Sequence, residues 1–268
     1  MEKLTYLQYN LNSDRIIRWP DHCFPLRFYI APFQFYSLKN EGYKYQALVK
    51  RALEQWERVS NGKVRFKLVN SLNESQINLT WKRVDRKALG HCLFEFDNEK
   101  RLFSAEVQIG LSDGILHQQY QDENEVYHTI LHEIGHAVGL GHSPYQDDIM
   151  YTPHRYGVNT LSQRDANSVQ WLYKLPYGIS IQELAQKHGL NDKDIDLIIM
   201  KISGQGKSNE FENVKNSIRL PKKDLMSEQE KLAEIKKYHL GLQNIQISSN
   251  VQDYIKKNIM MNKDNKKP

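Results

Sequence analysis

Gly139 constrains the fold of this chain more than any other residue. It stands three positions after His136 in EVYHTILHEIGHAVGLGHS (Glu125–Ser143), where a helix carrying His128, His132 and His136 at every fourth position has to stop. Glycine alone takes the left-handed C-terminal cap without steric penalty, and Gly141 adds freedom to the return. A helix ended at this point leaves the chain able to turn back toward the face it left. If it does, His142, six residues after His136, is the third partner.

On a helix, residues i and i+4 share a face, so His132 and His136 can aim both imidazoles at one ion. Zinc needs such nitrogens at about 2.0–2.1 Å. His128 continues the register, but eight residues of helix place it about 12 Å from His136. It is therefore read as a partly buried neighbour rather than a ligand. Glu133 projects at a different angle and can reach a water on the ion rather than the ion itself, the position of a general base in H-E-x-x-H. Three neutral imidazoles from His132, His136 and His142 leave a fourth position open, as in a catalytic site and not a closed structural one. A water whose pKa falls to about 7 is a usable nucleophile at neutral pH.

Around this stretch the 268 residues mix strands and helices without strict alternation, which favours an α+β class. PLRFYIAP (25–32), KVRFKLV (63–69), QINLTWKRV (76–84) and RLFSAEVQIGL (101–111) read as strands. The segment 43–62 places Tyr45, Leu48, Ala52, Trp56 and Val59 on one helical stripe ended by Asn61-Gly62. The histidine helix runs from about 124 to 138, and another follows at 160–175 with Ser162 as its N-cap. The expected division is a lead-in at 1–22, a catalytic domain at 23–176 and a helical extension at 177–268. Within the extension, helices are expected near 181–188, 192–202, 224–239 and 251–259.

The extended pattern His132-Glu133-x-x-His136-x-x-Gly139-x-x-His142 resembles the signature of the metzincin zinc endopeptidases, which continue into a methionine turn. Met150, in DDIMYTP, takes that place. The resemblance implies that it floors the three imidazoles without binding zinc. HEIGHAVGLGHS followed by IMY, and LSQRDANSVQWLY further on, are similar to the matrixins, the matrix-metalloproteinase family. The type expected is bacterial, without a propeptide motif. The specific motifs lie within 131–173, and the order of elements agrees over about 25–175.

What the resemblance implies is a twisted, mostly parallel sheet of about five strands with an antiparallel edge strand, an active-site helix, a Met-turn and a closing helix. It implies an endopeptidase that hydrolyses peptide bonds with one catalytic zinc and Glu133 as general base. A protein or peptide substrate would lie extended along the edge strand, taken here as 102–109, with the main pocket walled by 151–159. A zinc-binding scaffold without turnover is the alternative function. GHCLFEFDNEK (90–100) stands where animal matrixins hold a structural zinc, but it carries a single histidine, His91, so no structural zinc is expected. Calcium is left open. A thiolate cap through Cys23 matches the family's propeptide poorly, and a buried strand cysteine is the expectation. His117 and His154 are read as surface residues.

Two cysteines exclude a disulfide scaffold, and no run of about 18 apolar residues offers a membrane span. The opening residues contain no apolar segment of a signal peptide, which by sequence points to the cytoplasm although similar proteases are usually secreted. Most of the formal net charge of +5 lies after Pro176. Interleaved acidic residues there argue against a nucleic-acid surface. A monomer is expected.

Overall fold

A computed structural model describes residues 3–33, 42–83, 89–111 and 122–204. The helices expected near 224–239 and 251–259, and His117, lie outside the described residues. Five strands form one sheet: β1 (Leu26–Ile30), β2 (Phe66–Val69), β3 (Ile77–Arg83), β4 (Gly90–Phe96) and β5 (Leu102–Leu111), in the order β2-β1-β3-β5-β4. Phe28 of β1 lies opposite Leu68 on one side and Ile77 on the other, both parallel. Val107 of β5 lies opposite Leu79 of parallel β3 and Cys92 of antiparallel β4. The sheet is thus mixed, with a single antiparallel pair, and the α+β reading holds.

One expectation is corrected by this order. The segment 102–109 is not the edge strand, because β5 has both of its hydrogen-bonding sides taken. The edge belongs to β4, whose sequence GHCLFEF did not read as a strand. Every residue of β4 is half-buried or exposed, and its pairing slips between Glu95 and Phe96. Central β5 alternates more cleanly, with Ala105, Val107, Ile109 and Leu111 all turned into the core.

The helices are α1 (Gly42–Val59), α2 (Glu123–Ala137), α3 (Gln163–Leu172), α4 (Ile181–Lys187) and α5 (Ile195–Ile202). Helix α2 packs on β4, β5 and α1, and aromatic side chains hold it by its own carbonyls. Trp56 Nε1 of α1 donates to Leu131 O at 3.0 Å, Trp19 Nε1 to Ala137 O at 2.8 Å, and the Tyr173 hydroxyl to Val138 O at 2.7 Å. Both tryptophans are fully buried. A buried carbonyl without a partner costs about 1–3 kcal/mol, so the contacts to Ala137 and Val138 satisfy the helix end as well as fix its position.

The lead-in is less irregular than its composition suggests. Tyr6, Leu7, Ile16, Ile17 and Trp19 belong to the same core cluster as Ile181, Leu184, Ile195 and Ile198 of α4 and α5. Asp196 accepts from the Thr5 hydroxyl at 2.7 Å and from Leu4 N at 3.0 Å. Asp194 at the N-cap of α5 pairs with Lys3. Cys23 closes a short 3-10 turn (Asp21–Cys23) ahead of β1 rather than sitting in the strand, and Cys23 and Cys92 are both free thiols.

Candidate metal centre

The end of α2 shows how Gly139 acts. Its φ is +99°, and its N–H donates to His136 O at 2.9 Å while Leu140 N donates to Gly135 O at 3.0 Å. This is the Schellman pattern. It stops the helix one turn after His132–His136 and brings His142 back. The His136–His142 ring centroids are 4.7 Å apart and those of His132–His142 5.3 Å. One ligand nitrogen from each of His132, His136 and His142 lies within 4.8 Å of the others, the one such grouping of three among the described residues.

The orientation of the rings decides whether zinc fits. His132 Nδ1 lies 2.8 Å from Ile149 O, and His136 Nδ1 lies 2.8 Å from Leu140 O. A carbonyl can only accept, so both Nδ1 atoms carry the proton and each Nε2 is the lone-pair nitrogen that a metal can take. His136 Nε2 and His142 Nε2 face each other at 3.2 Å, two ring nitrogens directed at one point. A borderline-soft dication served by three neutral imidazoles suits this donor set. The residues present fit zinc.

The carbonyl that orients His132 belongs to the methionine turn. Ser143 N donates to Met150 O at 2.8 Å, and the Ser143 hydroxyl to Asp148 Oδ2 at 2.5 Å, which fastens the return loop to the turn. Asp165 Oδ2 accepts from Ile149 N and from Ser162 N, each at 2.9 Å, while its Oδ1 accepts from the Tyr6 hydroxyl at 2.9 Å. Ser162 caps α3 as expected, with Asp165 completing a capping box. Burial, with the nearby Asp148 charge, pushes the Asp165 carboxyl up to about 6. Neither Asp148 nor Asp165 stands out in the sequence as part of this support. The only signal was the N-cap pattern at Ser162.

Met150 is fully buried. A Cβ on Gly135 would meet its Sδ at 2.3 Å and Trp56 at 3.0 Å, so the glycine inside HEIGH is the seat of the methionine. Gly135→Ala is expected to destabilise the protein by about 1–3 kcal/mol, as overpacking of a tight core does. A lower denaturant midpoint, with weaker zinc retention, is the result to look for.

His128 stands outside the three. Its ring stacks 6.1 Å from that of His132, its Nδ1 bonds Val158 O, and burial drives its pKa down to about 4. His154, expected on the surface, instead pairs with Glu125 at 2.5 Å. His91 lies in β4.

Glu133 is buried, and that burial pushes its carboxyl from 4.5 up to about 8 in the metal-free chain. A Cβ on Gly90, the first residue of β4, would lie 2.6 Å from Glu133 Oε1. The edge strand therefore starts directly over this carboxylate. Between pH 4.5 and 8 the folded metal-free chain keeps a proton on Glu133 that the unfolded chain releases, so stability falls as pH rises. The lowered pKa values of His128 and His132 act only below their ordinary 6.5, where stability falls as pH falls. Chelated protein is therefore expected to lose stability from pH 6.5 to 8. The slope is at most about 1.4 kcal/mol per pH unit. Urea midpoints should show it in the wild type and lose it in Glu133→Gln.

A mixed sheet with one antiparallel edge, a helix bearing two histidines, a glycine turn to a third and a buried methionine packed against Gly135 of that helix form the pattern of a metzincin. The family model described as Peptidase_M10, matrixin, matches residues 24–174. The chain belongs to the matrixin family, whose members are zinc-dependent endopeptidases. It is 30% identical over 135 residues to interstitial collagenase B of Mus musculus, covering 47% of this chain and 28% of that protein. Against matrix metalloproteinase-A of Caenorhabditis elegans it is 27% identical over 89 residues, 32% of this chain and 16% of the relative. A protein of Trichoplusia ni ascovirus 2c assigned to the matrix metalloproteinases is 28% identical over 138 residues, 44% and 26% of the two chains. The chain thus spans less than a third of the length of these curated relatives.

Proposed function

We propose that this chain hydrolyses internal peptide bonds of protein substrates, with Glu133 as general base and His132, His136 and His142 holding one zinc ion. The convergence of the three ring nitrogens, two with their tautomers set by backbone carbonyls, is the observation that carries this reading. Bound zinc would supply Lewis-acid polarisation of the scissile carbonyl and acidify a water. Glu133 then takes the proton of the attacking water on a carboxylate oxygen and hands it to the nitrogen of the leaving amine. Its burial beneath β4 keeps bulk water from competing for that proton.

Among the described residues no strand covers the outer side of β4, and its backbone N–H and C=O groups there can take an extended peptide as a further strand. Because Gly90 lies over Glu133, a peptide bond paired near the start of β4 passes the base. Backbone pairing is blind to side chains, so selectivity has to come from the walls beside the track. Purified zinc-loaded protein incubated with unfolded casein should produce internal fragments, and a chelator should stop the reaction. Zinc binding with intact casein would leave a scaffold as the better account.

A further inference from the structure

The first turns of α2 carry polar groups that the hydrolytic machinery does not use. Glu125 is a carboxylate only 9% exposed, and both of its oxygens are taken by one segment of chain. Oε2 pairs with His154 Nε2 at 2.5 Å, and Oε1 accepts from Gly157 N at 3.2 Å. One turn further on, His128 Nδ1 donates to Val158 O, and at the helix start Asn159 Nδ2 donates to Asn124 Oδ1 at 3.1 Å. Four contacts thus fasten residues 154–159 along α2. The rings of His128 and His154 meet edge to face at 4.1 Å, and the His128 ring stacks on that of His132.

This segment follows the methionine turn and lies along α2 one ring away from His132, with the His128 ring between His154 and His132. Tyr156 projects from it with 57% of its surface exposed, its ring 5.1 Å from that of His154. A substrate side chain extended past His132 toward the start of α2 would meet this segment as a wall. Of the four ties, Glu125 supplies two through a single buried carboxylate. An unpaired buried carboxylate or amide is costly, so the segment is held in one place while Glu125 is present and its partners are intact.

We propose that Glu125 is a positioning residue that sets substrate selectivity: by clamping His154 and Gly157 it fixes the wall beside His132 and so decides which substrate side chains fit. The inference rests on the endopeptidase reading above, and it assigns no part in proton transfer to Glu125.

The test compares wild type, Glu125→Ala, Glu125→Gln, His154→Ala and the double variant Glu125→Ala/His154→Ala, all zinc-loaded. The substrates are quenched-fluorescent peptides varied on either side of the scissile bond. The ratio of kcat/KM between the best and worst peptides is expected to narrow about tenfold in Glu125→Ala, the scale on which pocket contacts discriminate. The change should fall in KM, with kcat on the best peptide within about threefold and zinc content unchanged. Glu125→Gln keeps an acceptor and the side-chain volume, and should show a smaller narrowing, which keeps the test usable if the alanine variant folds poorly. The double variant should be no less selective than Glu125→Ala alone, because the two residues share one contact. Amide exchange at Gly157 should accelerate with the same ranking. A selectivity profile unchanged in all variants, an unchanged Gly157 exchange rate, or a uniform fall in kcat for every peptide would overturn the proposal. Wild-type protein that cleaves none of the peptides would remove the endopeptidase reading and this inference together, whereas cleavage with unchanged selectivity would remove this inference alone.

Discussion

Glu133→Gln is expected to lower peptide hydrolysis by roughly 10²- to 10⁴-fold, the range that a positioned general base contributes, with the bound zinc still one per chain. The two readouts separate because of where the residue sits. Glu133 follows His132 on α2 but is absent from the cluster of nitrogens that can hold the ion. Its carboxylate instead lies under the backbone of Gly90. Glutamine preserves the volume in that tight space, so β4 and the histidines keep their places while the proton acceptor is lost. Burial alone holds the Glu133 carboxyl at about 8, and a dication beside it pulls that value down, since a nearby opposite charge favours the ionised form. Zinc loading should therefore extend activity to lower pH than the metal-free carboxyl would permit. Activity should fall on the acid side as Glu133 protonates. Loss of zinc in the glutamine variant would show that Glu133 has a structural part that the geometry does not give it.

The second large effect is expected from His142→Ala. His132 and His136 share one helix and keep their relation in any folded variant, whereas His142 arrives only through the turn at Gly139. Removing it leaves two imidazoles and an incomplete first coordination sphere. Zinc affinity should fall by more than the ~10–100-fold that loss of an outer hydrogen-bond partner costs. The melting transition should lose most of its dependence on added zinc, because a ligand at free concentration c stabilises a fold only to the extent that c exceeds its Kd, as RT ln(1 + c/Kd). Isothermal titration with zinc and melting curves at fixed free zinc read this directly. His128→Ala is the control: His128 lies outside the triple and bonds Val158, so zinc affinity should be little changed. Equal losses in the two variants would mean that the ion sits elsewhere on α2.

Much of the site was legible in the sequence because helical spacing and glycine chemistry are local. His132 and His136 follow from the i, i+4 rule and Gly139 from its cap, whereas Glu133 is read from the H-E-x-x-H pattern and Met150 from the resemblance to the metzincins. The support beneath them was not legible. Asp165 is a helix-cap acid by pattern, yet it also accepts from Ile149, whose carbonyl orients His132, and from Tyr6, 159 positions away. Contacts of such sequence separation leave no periodic mark. The edge strand was missed for a related reason. GHCLFEF is nowhere fully buried, so alternation, which reports burial, is weak there. With GHCLFEF not read as a strand, the edge that the resemblance implies falls on 102–109, which β4 covers. The lead-in looked polar and irregular, but Tyr6, Ile16 and Trp19 are held by α4, α5 and the end of α2 rather than by any element of their own.

The most direct measurement titrates zinc into chelated protein while metal occupancy and cleavage of a quenched peptide are followed in the same sample. The three-histidine site predicts that cleavage rises in step with occupancy and saturates at one zinc per chain, and that His142→Ala abolishes both responses. Full occupancy without cleavage, or cleavage that persists in the chelated protein, would contradict it.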